Sequence, residues 1–323
     1  MFKKLKLSAT ATTAAVLTAA ALAVISPAPA SAAPAPLDRA RIATHFDLAK
    51  GQTPENIALA PGGDAYVTFA AARQIARLTR SGATRILATL PAPADGGVHT
   101  PVLGFALTTG IVRADDGTLY VLYATGTSDL TALWRLRPGG EPQRIAALPA
   151  GGLPNGLALD PHTRTLYITD SVLGTIWSVP TTGGTPTVWS TAPELASTGF
   201  LGANGLKIHN GAVWATNLDK GTVLRIPILR SGRAGKVQTR ATSLPGIDDF
   251  TFTGHGDRIL ATLNGPSQVA LVQPDGTHAT ALTDADGLQN PTSIALHGDT
   301  VYVLSAAYLT ARDPNLVLAH LHN

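Results

Sequence analysis

Glu55, Asn155, Asn204 and Asp248 stand 100, 49 and 44 residues apart, and each is followed by a short run rich in apolar residues. Together they offer two carboxylates and two amide carbonyls, all hard oxygen donors. Such a set suits Ca²⁺, which accepts six to eight oxygens in irregular geometry, with Mg²⁺ or another divalent cation as the alternative. Four protein donors would leave coordination positions for water and substrate, as a catalytic ion requires. Taken singly, each residue is a weak signal. Asn-Gly is among the commonest hairpin dipeptides, so Asn155-Gly156 alone reads as a turn. Two details favour ligation. The hairpin turns are already supplied downstream, by Asp160 to Arg164 and by His209-Asn210-Gly211, and Glu55 is one of only three glutamates in the chain.

The elements that must position these residues recur at intervals of about 45 residues, a period that marks repeat architectures. Each unit has a polar anchor, a short apolar strand, a turn, a stronger strand and two weaker strands. The units begin PENIALAPGGDAYVTF, ALTTGIVRADDGTLYVLY, LPNGLALDPHTRTLYITD, GANGLKIHNGAVWATN, GIDDFTFTGHGDRILATLN and LQNPTSIALHGDTVYVLS. Helical periodicity is nearly absent, and Val/Ile/Leu/Tyr/Thr runs between Gly, Pro and Asp read as antiparallel strands. The expected fold is all-β, a six-bladed β-propeller. The sixth unit retains only LVLAHL after TVYVLS, so Arg41–Leu48 is expected to supply its outer strand and close the ring. In a propeller the first strand of each unit lies nearest the axis. The anchors Glu55, Thr109, Asn155, Asn204, Asp248 and Asn290 should therefore converge at one mouth of the tunnel.

The chain opens with Lys3, Lys4 and Lys6, an apolar stretch, and Ala30-Ser31-Ala32. That is the pattern of a secretory leader cleaved after Ala32, and it predicts a secreted protein. Residues 33–323 then form one propeller domain. The leader carries three lysines and no acid, so its removal takes the formal charge from +3 to zero. No basic run remains to bind nucleic acid, and no further stretch is long enough to span a bilayer. The absence of cysteine excludes disulfides, thiol catalysis and thiolate metal sites. A monomer with a small-molecule substrate is expected.

Around the anchors, the second strands end in Asp170, Asn217 and Asn264, candidates for orienting ligands or contacting substrate. Loop capping is the competing role for all three. His99 and Phe200 sit in the longest inter-blade loops, which should overhang the same face. Asp249 could raise the pKa of its neighbour Asp248, but adjacent strand residues face opposite ways, so it is expected to point aside. No GxSxG, HExxH, phosphate loop or CxxC occurs.

From about Pro54 to Leu321 the units resemble the regucalcin/gluconolactonase (senescence marker protein) family, related to the squid-type diisopropylfluorophosphatase. PNGLALD and ANGLKI look like that family's two asparagine motifs and GIDDFTF like its aspartate motif, with Thr109 in the blade the ligand pattern skips. The resemblance implies a six-bladed propeller with an axial Ca²⁺ held by Glu55, Asn155, Asn204 and Asp248. Two departures bear on substrate: Glu55-Asn56-Ile57 stands where the family commonly has Glu-Gly-Pro, and Asp249 follows Asp248 where it has glycine. The implied activity is hydrolysis of a lactone or ester-like molecule, with Asp248 as base or nucleophile. A non-catalytic binding propeller with a structural Ca²⁺ is the first alternative. A strictosidine-synthase-like enzyme ranks last, since its glutamate base has no counterpart here.

Overall fold

The computed structural model describes residues 36–322. The expected leader, residues 1–32, lies outside the described residues. The alternating apolar runs pair into six four-stranded antiparallel sheets, the blades of a six-bladed propeller. Their innermost strands are β2 (Pro54–Leu59), β6 (Leu107–Arg113), β10 (Pro154–Asp160), β14 (Ala203–His209), β18 (Ile247–Phe252) and β22 (Pro291–His297). Each contacts the next around the axis, and β22 returns to β2. Between the blades lie sandwiched apolar layers, such as Leu122, Leu133, Leu157, Leu166 and Ile168 between the second and third.

The sixth blade is closed by the N-terminal strand β1 (Leu37–His45), which pairs antiparallel with β24 (Asn315–Leu321). The strand therefore begins four residues before the expected Arg41 and stops three short of Leu48. Leu37 is buried opposite Leu321, which extends the start. At the other end Phe46 drops into the core, its ring edge-on to Phe69, and Asp47 caps a turn of 3₁₀ helix at Leu48–Lys50. Apolar burial and capping end the pairing there.

Every innermost strand carries a register shift: between Pro54 and Asn56, Thr108 and Ile111, Pro154 and Leu157, Ala203 and Leu206, Ile247 and Phe250, and Pro291 and Ser293. Five of them frame the expected anchors Glu55, Thr109, Asn155, Asn204 and Asp248. In the sixth blade the shift frames Thr292 instead of the expected Asn290, because the strand starts only at Pro291 and Asn290 lies in the turn before it. A bulge places an extra residue against its partner strand and re-aims the side chains there. Six such bulges at equivalent positions are a built feature of the axis.

The bulges are tied to one another by threonines. The Oγ1 of Thr68 donates to the carbonyl of Thr109, Thr109 to Pro154, Thr169 to Asn204, Thr216 to Asp248, Thr262 to Thr292, and Thr292 to Pro54. Each bond crosses one blade boundary, so the six form a closed ring. All six threonines are fully buried. Close approach is made possible by glycine: a Cβ on Gly110, Gly156 or Gly205 would strike the carbonyl oxygen of Asn155, Asn204 or Asp248 respectively.

Gly156→Ala should therefore lose about 3 kcal/mol by forcing the third and fourth blades apart. Thr216→Val should lose about 1–3 kcal/mol, because the Asp248 carbonyl loses its buried donor. Urea unfolding checks both, and unchanged midpoints would contradict the ring as an organising feature.

Candidate functional site

The anchors Glu55, Asn155, Asn204 and Asp248 all sit at the bulges of β2, β10, β14 and β18 and are all buried. Glu55 and Asp248 come from blades on either side of the sixth, yet their carboxylates lie close enough to repel. Burial pushes the Asp248 carboxyl well above the usual range, and the charges of Glu55 and then Asp249 push it further. The amides of Asn264 and Asn204 partly offset this rise. Burial likewise raises the Glu55 carboxyl, to about 7, against the pull of a hydrogen bond from Tyr308, and Asp249 adds to the rise. Asn155, buried at the equivalent position, makes no side-chain hydrogen bond among the described residues. Two repelling carboxylates and two amides thus share the axial mouth. Among the described residues no group of three or more His, Cys, Asp or Glu is arranged to hold a metal, so any ion here would depend on the amides.

Asp249 does not join Asp248. It turns to Lys207 on β14, whose Nζ lies 2.6 Å from its Oδ1, and both carbon stem and carboxylate are largely enclosed. The bulge at Asp248–Asp249 breaks simple alternation, so Asp249 stays fully buried instead of reaching solvent. Lys207 neutralises this third carboxylate locally and leaves Glu55 and Asp248 as the uncompensated pair.

The surrounding residues divide by what they hold. Asn264 donates to Asp248 Oδ2 at 3.4 Å, and to the carbonyls of Asn290 and Pro291 at the same distance, so it backs the carboxylate. Asp170, at the equivalent strand end, instead accepts from the backbone of Leu153, Val172 and Leu173. Asn217 bonds the carbonyls of Glu194 and Ala196 and the Lys220 amide. Both organise loops. Thr109 belongs to the hydroxyl ring, and Asn290 pins the turn after Ser305. His99 is exposed and paired with Asp95 at 2.7 Å. Phe200 is half-exposed on a loop whose amides converge on Asp219.

One residue of the site has no counterpart among the sequence-derived candidates. Tyr308 donates its hydroxyl to Glu55 Oε2 at 2.6 Å. It comes from the loop between β23 (Thr300–Ser305) and β24, where no repeat exists to align it. The signal in the sequence was the adjacent pair Tyr308-Leu309 in an otherwise small and polar loop, Ala306 to Pro314. A cavity of about 700 Å³ opens elsewhere, at the far ends of the innermost strands, lined by Ile57, Ile111, Leu157 and Lys207 among others. None of the four anchors lines it, so cavity size and the concentration of buried charge point to opposite ends of the tunnel. That cavity has a mixed lining, in which Arg113, Asp115, Asp116, Arg164 and His209 join the apolar side chains.

The fold and this axial polar cluster define a class, the six-bladed propellers with polar anchors at one mouth. Comparison with family models and with curated proteins finds no match. Among solved structures the chain is similar to regucalcin, a calcium-binding protein from Agrobacterium tumefaciens strain C58 (16% identity over 86% of this chain and 94% of that one, TM-score 0.62). It is similar to a gluconolactonase from Xanthomonas campestris (15% identity, 90% and 96% covered, TM-score 0.62). It is also similar to virginiamycin B lyase from Staphylococcus aureus (18% identity, 84% and 82% covered, TM-score 0.60). At such identities the likeness establishes the fold.

Because Glu55 has a folded pKa above its unfolded value, its protonated form favours the fold. That stability is complete below about pH 4.5 and is lost as pH rises through about 7. In chelator, wild type should thus lose stability relative to Glu55→Gln between pH 5 and 8, by on the order of 3 kcal/mol. Parallel melting temperatures across that range would contradict the buried-carboxylate assignment.

Proposed function

We propose that the protein is an exported, divalent-cation-dependent hydrolase of lactones or ester-like small molecules, working at the axial mouth. The observation that carries this reading is the pair of buried, mutually repelling carboxylates, Glu55 and Asp248, flanked by Asn155 and Asn204. A buried like-charged pair is costly unless a cation compensates it. The donors are all hard oxygens and the Asn155 side chain makes no hydrogen bond among the described residues, so the set fits Ca²⁺, with Mg²⁺ or another divalent ion as the alternative. Glu55, Asn155, Asn204 and Asp248 would hold the ion. Bound there, it supplies positive charge that polarises a carbonyl oxygen.

The chain's own residues do the rest. Asn264 holds Asp248 Oδ2 and leaves Oδ1 to act as the base. Asp248 Oδ1 takes a proton from the attacking water as its oxygen bonds to the carbonyl carbon. When the carbon–oxygen bond of the ester breaks, the same proton passes to the leaving oxygen. The Asn204 amide favours the charged form of Asp248 between these transfers. Burial of both carboxylates keeps bulk water from competing for them. The likeness of the fold to regucalcin and gluconolactonase structures supports this reading at the level of architecture.

The test is a screen of lactones, aryl esters and organophosphates with Ca²⁺ present. Asp248→Asn should reduce turnover of the best substrate by at least about 10³-fold while the circular dichroism spectrum is unchanged. An undiminished rate would remove Asp248 from the mechanism. Tight ion binding with no turnover on any substrate would favour a binding propeller.

A further inference from the structure

We infer that Tyr308 is the positioning residue that biases Glu55 toward presenting Oε1 alone, and so sets which divalent cation the axial site prefers. This rests on the cation site proposed above. Three observations carry it. The Tyr308 hydroxyl lies 2.6 Å from Glu55 Oε2, a short distance typical of a hydroxyl bonded to a carboxylate. That bond takes one lone pair of Oε2 and fixes its direction, so Oε1 is the less encumbered oxygen.

The turn that presents Tyr308 is fixed from below. Asn290 Oδ1 accepts from Leu309 N at 2.9 Å and Thr310 N at 3.0 Å. The backbone adds Ala306 N to the Asn290 carbonyl, Ala307 N to Gln289 and Ala311 N to Ala307. Asn290, Ala307 and Ala311 hold φ values of 54°, 57° and 49°, a left-handed conformation that L-residues rarely adopt. Such backbone persists only when the surrounding bonds over-determine it. Asn290 thus acts on Glu55 at one remove: Asn290 shapes the turn, the turn places Tyr308, and Tyr308 orients Glu55.

The third observation is the ring. Tyr308 is 38% exposed although its hydroxyl turns inward, so the ring forms part of the mouth beside Glu55. Asp248 has no phenol partner among the described residues; its Oδ2 has the longer 3.4 Å contact from Asn264, and the Asn204 amide is a second partner. The two carboxylates are therefore held differently, Glu55 by one short hydroxyl bond and Asp248 by amides.

The consequence is ionic preference. Mg²⁺ demands near-octahedral geometry from single oxygens, whereas Ca²⁺ tolerates a carboxylate binding through both. With Tyr308 in place one lone pair of Oε2 is taken and Oε1 is the better donor, and without the hydroxyl both oxygens are equally open to an ion. Removing the hydroxyl should weaken Mg²⁺ binding about 10-fold, the size expected when an outer partner of a ligand is lost. Ca²⁺ regains the freed oxygen and should weaken by less than about 3-fold.

The experiment is calorimetric titration of the mature chain with CaCl₂ and with MgCl₂ at pH 8, for wild type, Tyr308→Phe, Asn290→Gly and Glu55→Gln. Phenylalanine keeps the ring and glycine keeps the left-handed backbone, so either variant can carry the test if the other fails to fold. The expected result is that both raise the Ca²⁺:Mg²⁺ affinity ratio about 3-fold or more, while Glu55→Gln loses both ions. Wild-type ratios in Tyr308→Phe and Asn290→Gly would overturn the role of Tyr308 and leave the cation site standing. Wild type binding neither ion would overturn both.

Discussion

Six innermost strands must meet at one axis, and six threonine hydroxyls, each donating to a carbonyl of the next blade, hold them there. Each bond alone contributes about 1 kcal/mol. Their value lies in location, since the carbonyls they hold belong to the bulged segments that carry the anchors. The Thr169 and Thr216 hydroxyls bond the carbonyls of Asn204 and Asp248 themselves. In the second blade the anchor, Thr109, is itself a ring member, so its hydroxyl is committed to the Pro154 carbonyl. The interruption in the donor pattern and the continuity of the ring are the same fact.

Charge is handled as deliberately as packing. Three carboxylates, Glu55, Asp248 and Asp249, are buried near the axis. One is matched by the Lys207 ammonium, and two face each other with only amides and a phenol for company. Burial disfavours the charged form of all three carboxyls and raises each of them, Asp249 included despite Lys207, and mutual repulsion adds to the rise at Glu55 and Asp248. A fold that keeps such a pair in a closed, disulfide-free ring is spending stability at one spot, as functional sites do.

Much of this was legible in the sequence because a propeller repeats. Anchors such as Asn155 and Asn204 align by counting, and alternation within TLYITD or AVWATN marks the strands without any tertiary knowledge. Where a role depends on one blade's neighbours, counting fails. Asp170 and Asn264 end equivalent strands, yet one caps a loop and the other backs Asp248. Lys207 reads as a solvent-facing strand lysine, and only the approach of β18 shows that it meets Asp249. Asp249 does point aside from Asp248, as expected, but its partner Lys207 was not foreseen. Tyr308 lies in a loop outside the repeat, so no alignment of units could bring it to Glu55. The closing strand was foreseen from the deficit in the sixth unit, but its ends follow Leu37 and Phe46 burial, which pattern alone does not fix.

The central claim is that Glu55, Asn155, Asn204 and Asp248 form one cation site. The most direct measurement is an anomalous difference map from crystals of the protein grown with Ca²⁺. The account predicts a peak on the propeller axis with an oxygen from each of the four side chains at about 2.3–2.6 Å. A map without a peak there, with those side chains intact and Ca²⁺ in the medium, would contradict it.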